Sequence, residues 1–288
     1  MANLSNQEAT RVERLDQRVI ALNPDLSRSY ASHLIAEGKV SVNGQVIQKS
    51  GHKLRGDEAV VVDYNPAEQA AIPEIELPVL YEDDDCVVIN KPLGLLVHSK
   101  GAFNPEATVA TWLSGRLKDL DGERGGIVHR LDRATSGVMI CAKDKKALSW
   151  LQKQFAQRRV KKAYVAVVSG TLTEPQAVID MPIERNPKKP QTFRVGSNGK
   201  PATTEYSVVA TNGTHSLVEL RPLTGRTHQL RVHLAQLGHP IVGDVLYGGE
   251  PAERLFLHAE KLELTLPNRE RRVFETPVPS VFQEQINA

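Results

Sequence analysis

A chain of 288 residues exceeds the usual size of one domain, so two are expected, and a hydrophobic share of 40% is ample for packed cores. No segment approaches the roughly 20 apolar residues that span a bilayer, and Asn3, Ser5, Asn6, Gln7 and Glu8 lack the blocks of a secretion signal. Cys86 and Cys141 form no Cys-x-x-Cys pattern, so a cytoplasmic protein without a disulfide framework is expected, while a net charge of +2 is too small to announce a polyanionic partner.

The first quarter, residues 11–63, reads as a separate unit. Leu15, Val19 and Leu22 recur at helical spacing up to Asn23-Pro24, and Ser27 is placed to cap a second helix with Tyr30, Leu34 and Ile35 inward and Gly38 at its stop. Residues 39–46 alternate around Asn43-Gly44, the strongest short-range hairpin signal, and 59–62 supply a further strand after Gly56-Asp57. Eight cations against six acids over residues 11–62 argue only weakly for a nucleic-acid partner. The arrangement of a helix pair with a small sheet resembles the S4-like RNA-binding domain. That resemblance implies that Arg14, Arg28, Lys39 and Arg55 face RNA; a small domain whose charges only confer solubility stays open.

Residues 64–77, with Pro66 and Pro73 and scattered acids, read as a linker to a larger domain at 78–288. Strand signals fall at 86–89, 138–141, 165–168, 206–210, 217–220 and 262–266, and helical ones at 107–117, 145–157 and 229–237. This order predicts an α+β domain with a mixed, mainly antiparallel sheet and flanking helices. Both cysteines fall within or beside predicted strands, as packing residues. From position 143 to 162 eight cations stand against one acid, Asp144, a strip suited to neutralising phosphates and equally explained as a solvated helix face. The preceding Glu82, Asp83, Asp84 and Asp85 form an acidic turn.

The chemistry concentrates in two segments. Gly126-Ile127-Val128-His129-Arg130-Leu131-Asp132-Arg133-Ala134-Thr135-Ser136-Gly137 sets a carboxylate between two guanidinium groups. The apolar runs Ile127-Val128 and Val138-Met139-Ile140 predict buried strands holding this loop at both ends. Gly225-Arg226-Thr227-His228-Gln229-Leu230-Arg231-Val232-His233 is the second segment. Alone, the first also fits a charged surface turn. Together with Asn90-Lys91-Pro92-Leu93-Gly94-Leu95-Leu96-Val97-His98, Lys161-Lys162-Ala163-Tyr164-Val165-Ala166 and Ile241-Val242-Gly243-Asp244, the two resemble the motifs of the RluA-type pseudouridine synthases, which isomerise uridine within RNA. The resemblance runs over roughly residues 78–275.

It implies the pseudouridine synthase fold and a set of roles. Asp132 would be the catalytic carboxylate, kept ionised in a water-poor site by Arg231, since an adjacent cation offsets the desolvation penalty of burial. Tyr164 would pack on the uracil and relay the C5 proton. Because a base within folded RNA is inaccessible, the nucleotide must be everted, and Arg130 would fill the vacated space. His129, Arg133, Lys91 and Arg226 would contact RNA or line the pocket. Breaking the bond from ribose to base, turning the uracil and rejoining it through C5 exchanges nothing with a cofactor, so neither cofactor nor metal is expected. The implied partner is RNA, with 23S-type ribosomal RNA of the large subunit the first candidate and transfer RNA the alternative; no membrane partner is expected, and the chain is expected to be monomeric.

Other readings are weighed on the residues. His228 and His233, five positions apart, lack the one-turn spacing and intervening Glu of a zinc helix. Ser136 near His129 is more economically a turn stabiliser beside a packing residue than a nucleophile and base. A non-catalytic RNA-binding or ribosome-assembly factor, and a carboxylate-dependent nucleosidase that frees uracil, remain open.

Overall fold

Apolar residues one turn apart build the helices, and a period of two builds the strands between and after them. The computed structural model describes residues 13–24, 26, 28–64, 72–98, 106–120 and 125–287. The chain divides into two units, one within Met1–Glu74 and His98–Ala107, the other within Ile75–Val97 and Thr108–Ala288.

In the first unit, β1 (Glu13–Arg14) pairs with β4 (Lys53–Leu54), α1 (Leu15–Leu22) packs on α2 (Arg28–Ala36), and β2 (Val40–Val42) lies between β3 (Gln45–Val46) and β5 (Val60–Val62). Leu15, Val19, Leu34, Ile35, Val40 and Leu54 form its core. Leu22, the third residue of the helical spacing, ends α1 and is 52% exposed. The Asn43-Gly44 hairpin has positive φ at both central residues, 50° and 80°, as a tight primed turn requires. Ser27, the expected cap, and Asn3, Ser5, Asn6, Gln7, Glu8, Arg11 and Pro66 lie outside the described residues.

The second unit is built on a nine-stranded sheet. Its elements are β6 (Val79–Glu82), β7 (Cys86–Lys91), α3 (Val109–Ser114), β8 (Ser136–Ala142), α4 (Lys145–Ala156), β9 (Lys161–Ser169), β10 (Gln176–Asp180), a hairpin of β11 (Ile183–Arg185) and β12 (Phe193–Val195), β13 (Thr203–Thr211), β14 (His215–Pro222), α5 (Gln229–Gln236), β15 (Leu257–Thr265), β16 (Arg271–Glu275) and α6 (Val281–Asn287). Strand order is β10-β13-β14-β9-β15-β8-β7-β6, with β16 also on β15. Every pair is antiparallel except β15 with β8. The expected α+β architecture with a mixed, mainly antiparallel sheet is therefore the one observed.

Alternation explains why β7 and β8 read as unbroken apolar runs. Cys86, Val88, Val138 and Ile140 face α4, where Ala147 and Leu151 cover them, while Val87, Ile89, Met139 and Cys141 face α3 and its Val109, Trp112 and Leu113. A strand covered on both faces has no polar side to show. Ile75 and Leu77 join the α3 side of this core. Beyond β9 a third cluster gathers Val165, Val167, Leu220, Leu230 and Leu234 with Phe282 of α6. Tyr164 packs against both the α3 cluster and this one, at the seam between them.

Candidate active site

The loop carrying Asp132 is held by a strand at one end only. Val138–Ile140 do lie in β8, but Ile127 and Val128 do not form the expected second strand; Ile127 makes one isolated bridge to Cys141 as the loop folds back along β8. The glycines at its two ends are what allow this. A Cβ on Gly126 (φ +74°) would lie 2.2 Å from the Ala142 carbonyl oxygen, and one on Gly137 (φ +118°) 2.2 Å from that of Ala259. Only glycine adopts those angles with backbone so close.

Between these points the side chains divide into anchors and exposed groups. Leu131 is buried in the α3 core, and the Thr135 N–H donates to the Asp132 carbonyl at 3.0 Å, closing a turn. His129, expected to contact RNA or line the pocket, stands in the cavity wall and is also an anchor: its Nε2 accepts the Ile140 N–H at 3.1 Å and its ring stacks on Phe155 at 4.6 Å. Burial, reinforced by the charge of Lys162, lowers its pKa to about 3, so it stays neutral. Lys91 departs from expectation. It is fully buried, and its ammonium donates to the carbonyls of Pro92, Leu95 and Arg133 at 2.9, 2.8 and 3.4 Å, so it buttresses the loop rather than reaching a phosphate. Burial pulls its pKa down to about 8 against the opposing pull of Asp132. Arg130 and Arg133 are exposed, and Arg130 lines the cavity described below.

The second segment reaches the same place from α5. Gln229 pins its start: Nε2 donates to the Thr203 carbonyl and Thr204 Oγ1, and Oε1 accepts from Thr224 Oγ1 and the Arg226 N–H. His233, weighed and set aside as a metal ligand, is a second pin, with its ring nitrogens on Thr204 Oγ1 and the Met181 carbonyl. Among the described residues there is no group of three or more His, Cys, Asp or Glu placed to hold a metal. Arg226 spends its Nε on the Pro201 carbonyl at the rim. Held so, α5 turns Arg231 inward.

Arg231 meets two carboxylates. Nε and Nη2 grip Asp244 at 2.7 Å each, whereas Nη1 stands 3.5 Å from Asp132 Oδ2. Burial opposes the charge of Arg231, but the hydrogen bonds and charge of Asp244 outweigh it and raise its pKa. The bidentate partner that makes a buried guanidinium tolerable is thus Asp244, and Asp132 receives a longer contact from the remaining nitrogen. His228 approaches the same oxygen, Nε2 to Oδ2, at 3.8 Å.

Asp132, Tyr164, Arg231, His228, Arg130 and Arg226 line one cavity of about 480 Å³, to which Arg158 and Lys162 of the basic strip also contribute. That volume suits a small ligand or one everted nucleotide. Tyr164 on β9 is placed in its wall, and burial, with the charge of Asp132, pushes its hydroxyl far above the ordinary tyrosine range, so it faces the cavity as a neutral phenol. Lys162 donates to the Thr224 carbonyl at 3.3 Å, and burial lowers its pKa to about 8. The structure therefore brings together Asp132, Tyr164, Arg231, Arg130, Arg226 and His129, and turns Lys91 to a structural task. The residues that sequence reasoning left without a role are His228, set aside as a metal ligand, and Lys162 and Asp244; all three stand within the quoted motifs.

In the first unit Arg14 and Arg28 flank the buried Asp16 at 2.9 and 3.0 Å while remaining 46% and 59% exposed, and Lys39 and Arg55 are exposed.

A family model described as RNA pseudouridylate synthase matches residues 85–236, and one described as S4 domain matches residues 13–60. The ribosomal large subunit pseudouridine synthase D of Yersinia pestis is 40% identical over 296 residues, 96% of this chain and 90% of its own length. Its namesake in Escherichia coli (strain K12) is 41% identical over 242 residues, covering 83% and 74%. Among solved structures, human RNA Pseudouridylate Synthase Domain Containing 1 superposes with a TM-score of 0.60 at 33% identity over 71% of this chain and 84% of that one. The chain belongs to the RNA pseudouridine synthases, isomerases that act on uridine within RNA, and bears an S4 domain at its N-terminal side.

Proposed function

We propose that the substrate is ribosomal RNA of the large subunit and that Asp132 carries the chemistry. The observation that supports the second part is the asymmetry of the carboxylate. Both donor side chains within 4 Å among the described residues, the Arg231 guanidinium and the His228 imidazole, stand on Oδ2, so Oδ1 is the oxygen left to act on sugar or base. The adjoining Tyr164 ring offers a stacking face, a contact that in nucleic-acid complexes is typically worth about 1–3 kcal/mol per base. On this reading its neutral hydroxyl relays the C5 proton. Arg130, on the exposed part of the loop, fills the gap left in the RNA stack. A guanidinium plane does this while pairing with phosphate. Eversion costs a few kcal/mol, which contacts along the basic rim offset.

The choice of RNA is supported by the Y. pestis and E. coli relatives, named for the large ribosomal subunit and aligned over 96% and 83% of this chain. On this reading Arg14, Arg28, Lys39 and Arg55 of the S4 domain recruit structured RNA, and the protein works in the cytoplasm as a monomer; no helix among the described residues is long and apolar enough to cross a membrane. The test is a map of carbodiimide-induced reverse-transcription stops in RNA from cells with and without the gene. Stops lost from large-subunit RNA support the assignment. Stops lost only from transfer RNA overturn it and leave the isomerase intact.

A further inference from the structure

His228 begins α5 at φ +56°, a left-handed backbone with no capping bond from its side chain. Such a conformation in a non-glycine residue persists only where its surroundings over-determine it. The ring has two neighbours. Nδ1 lies 2.7 Å from the Tyr247 hydroxyl, and Nε2 lies 3.8 Å from Asp132 Oδ2. Tyr247 is itself fixed, because its oxygen accepts the Phe193 N–H at 2.9 Å. Phe193 and Tyr247 both meet the imidazole edge-on at 5.6 Å, and Arg231 lies over the Tyr247 ring at 5.0 Å.

The donors and acceptors have one economical solution. The Phe193 N–H can only donate, so the Tyr247 oxygen accepts from it and sends its own proton to His228 Nδ1. Neutral imidazole then carries its hydrogen on Nε2, facing a carboxylate oxygen that can only accept. In the other tautomer the tyrosine proton would have no acceptor and a lone pair would oppose Oδ2. We infer that the turn Asp244–Tyr247 is a positioning device for the active site: Asp244 grips Arg231, Tyr247 fixes the tautomer of His228, and the two held donors converge on one oxygen of Asp132. Tyr247 is then a positioning residue, acting on the carboxylate through His228. The inference rests on the reading of Asp132 as the reacting carboxylate.

The experiment uses the full chain labelled with ¹⁵N-histidine, in which long-range ¹H–¹⁵N spectra report the protonated nitrogen of each ring, with His228→Gln supplying the assignment. The wild type should show His228 protonated on Nε2. Tyr247→Phe keeps the ring but removes the hydroxyl; it should move the proton toward Nδ1 and lower kcat on the order of tenfold with KM for RNA unchanged. His228→Gln, whose amide offers a donor near the Nε2 position, should retain on the order of tenfold more activity than His228→Leu. An Nδ1-protonated His228 in the wild type overturns the inference even if both variants fail to fold. Wild-type kcat in Tyr247→Phe, or equal rates for Gln and Leu at 228, overturns it as well. The two readings fail separately: turnover in Asp132→Asn defeats the role of Asp132 whatever the tautomer, whereas a wrong tautomer defeats the inference with Asp132 still essential.

Discussion

Each unit holds an aspartate beside cationic side chains, and the two are built to opposite ends. Asp16, in the first unit, is 2% exposed and has both oxygens occupied: Oδ1 accepts from Arg14 at 2.9 Å, and Oδ2 accepts from Arg14 at 3.1 Å and Arg28 at 3.0 Å. The hydrogen bond from Arg14 outweighs the penalty of burial and, with help from Arg28, lowers its pKa. Asp132 is 22% exposed at its side chain, with contacts of 3.5 and 3.8 Å that both fall on one oxygen. A carboxylate with its lone pairs filled at hydrogen-bond distance is structural. One held at longer range, with an oxygen facing a cavity, has capacity to spare for a reaction.

The sharpest way to break the comparison is to neutralise each carboxylate. Asp132→Asn should reduce tritium release from C5-labelled uridine in RNA by about 10³-fold or more, with RNA retention on a filter little changed. Asp16→Asn should leave turnover per folded molecule near wild type. If both variants lose activity in proportion to lost folded protein, the distinction collapses.

Asp244→Asn is next in size, because it strips the 1%-exposed partner that holds Arg231 from two nitrogens. Breaking a buried pair from one side typically costs about 3–5 kcal/mol, which thermal unfolding reads directly. Activity should fall too, roughly 10²-fold, as the guanidinium turns from Asp132 toward any acceptor it finds. A stable Asp244→Asn protein with full activity would mean that Asp132 holds Arg231 unaided.

Asp16→Asn should destabilise the first unit by roughly 1–3 kcal/mol, the cost of leaving buried donors and acceptors mismatched. The pH dependence has a definite sign. A folded-state pKa below the unfolded value, about 3.9 for Asp, gives stability that is present above that value and lost as pH falls through the depressed folded one. Urea unfolding followed down from pH 5 should show the wild-type advantage shrinking toward the variant. A gap that stays constant through the acid range would deny Asp16 its structural charge.

How legible the site was follows from how each residue works. Asp132, Tyr164 and Arg231 stand in segments whose spacing is set by the loop and helix that carry them, so a linear pattern captures them. Asp244 and Tyr247 act across 13 and 19 positions on partners in α5, joined by a fold that no local period reveals. His228 was weighed against metal spacing, and its left-handed backbone is not readable from neighbours. Lys91 departs from expectation for a different reason: a cationic side chain beside a reactive loop looks the same in sequence whether it faces RNA or holds the loop from behind. The fold was clearer. Long apolar runs such as β7 and β8 were visible because both faces are covered, whereas β10, the β11–β12 hairpin and β16 mix polar and apolar residues over three to five positions, too few to establish a period.

The smallest expected effect belongs to Lys162, which extends the comparison from carboxylates to cations. Lys91 and Lys162 both have pKa values lowered to about 8 by burial, yet the first is enclosed by carbonyls and the second lines the cavity. If Lys162 meets a phosphate of the bound RNA, its ammonium form is the one that binds. Below about pH 8 the free protein already carries that proton; above it, binding has to take one up, so affinity should fall as pH rises from 7 to 9. Lys162→Met should flatten this slope and lower the log–log dependence of affinity on salt by about one, the signature of a single lost phosphate contact. Turnover at saturating RNA should change little. An unchanged salt slope with an unchanged pH profile would place Lys162 with Lys91, as a lysine whose charge the fold tolerates and the RNA never meets.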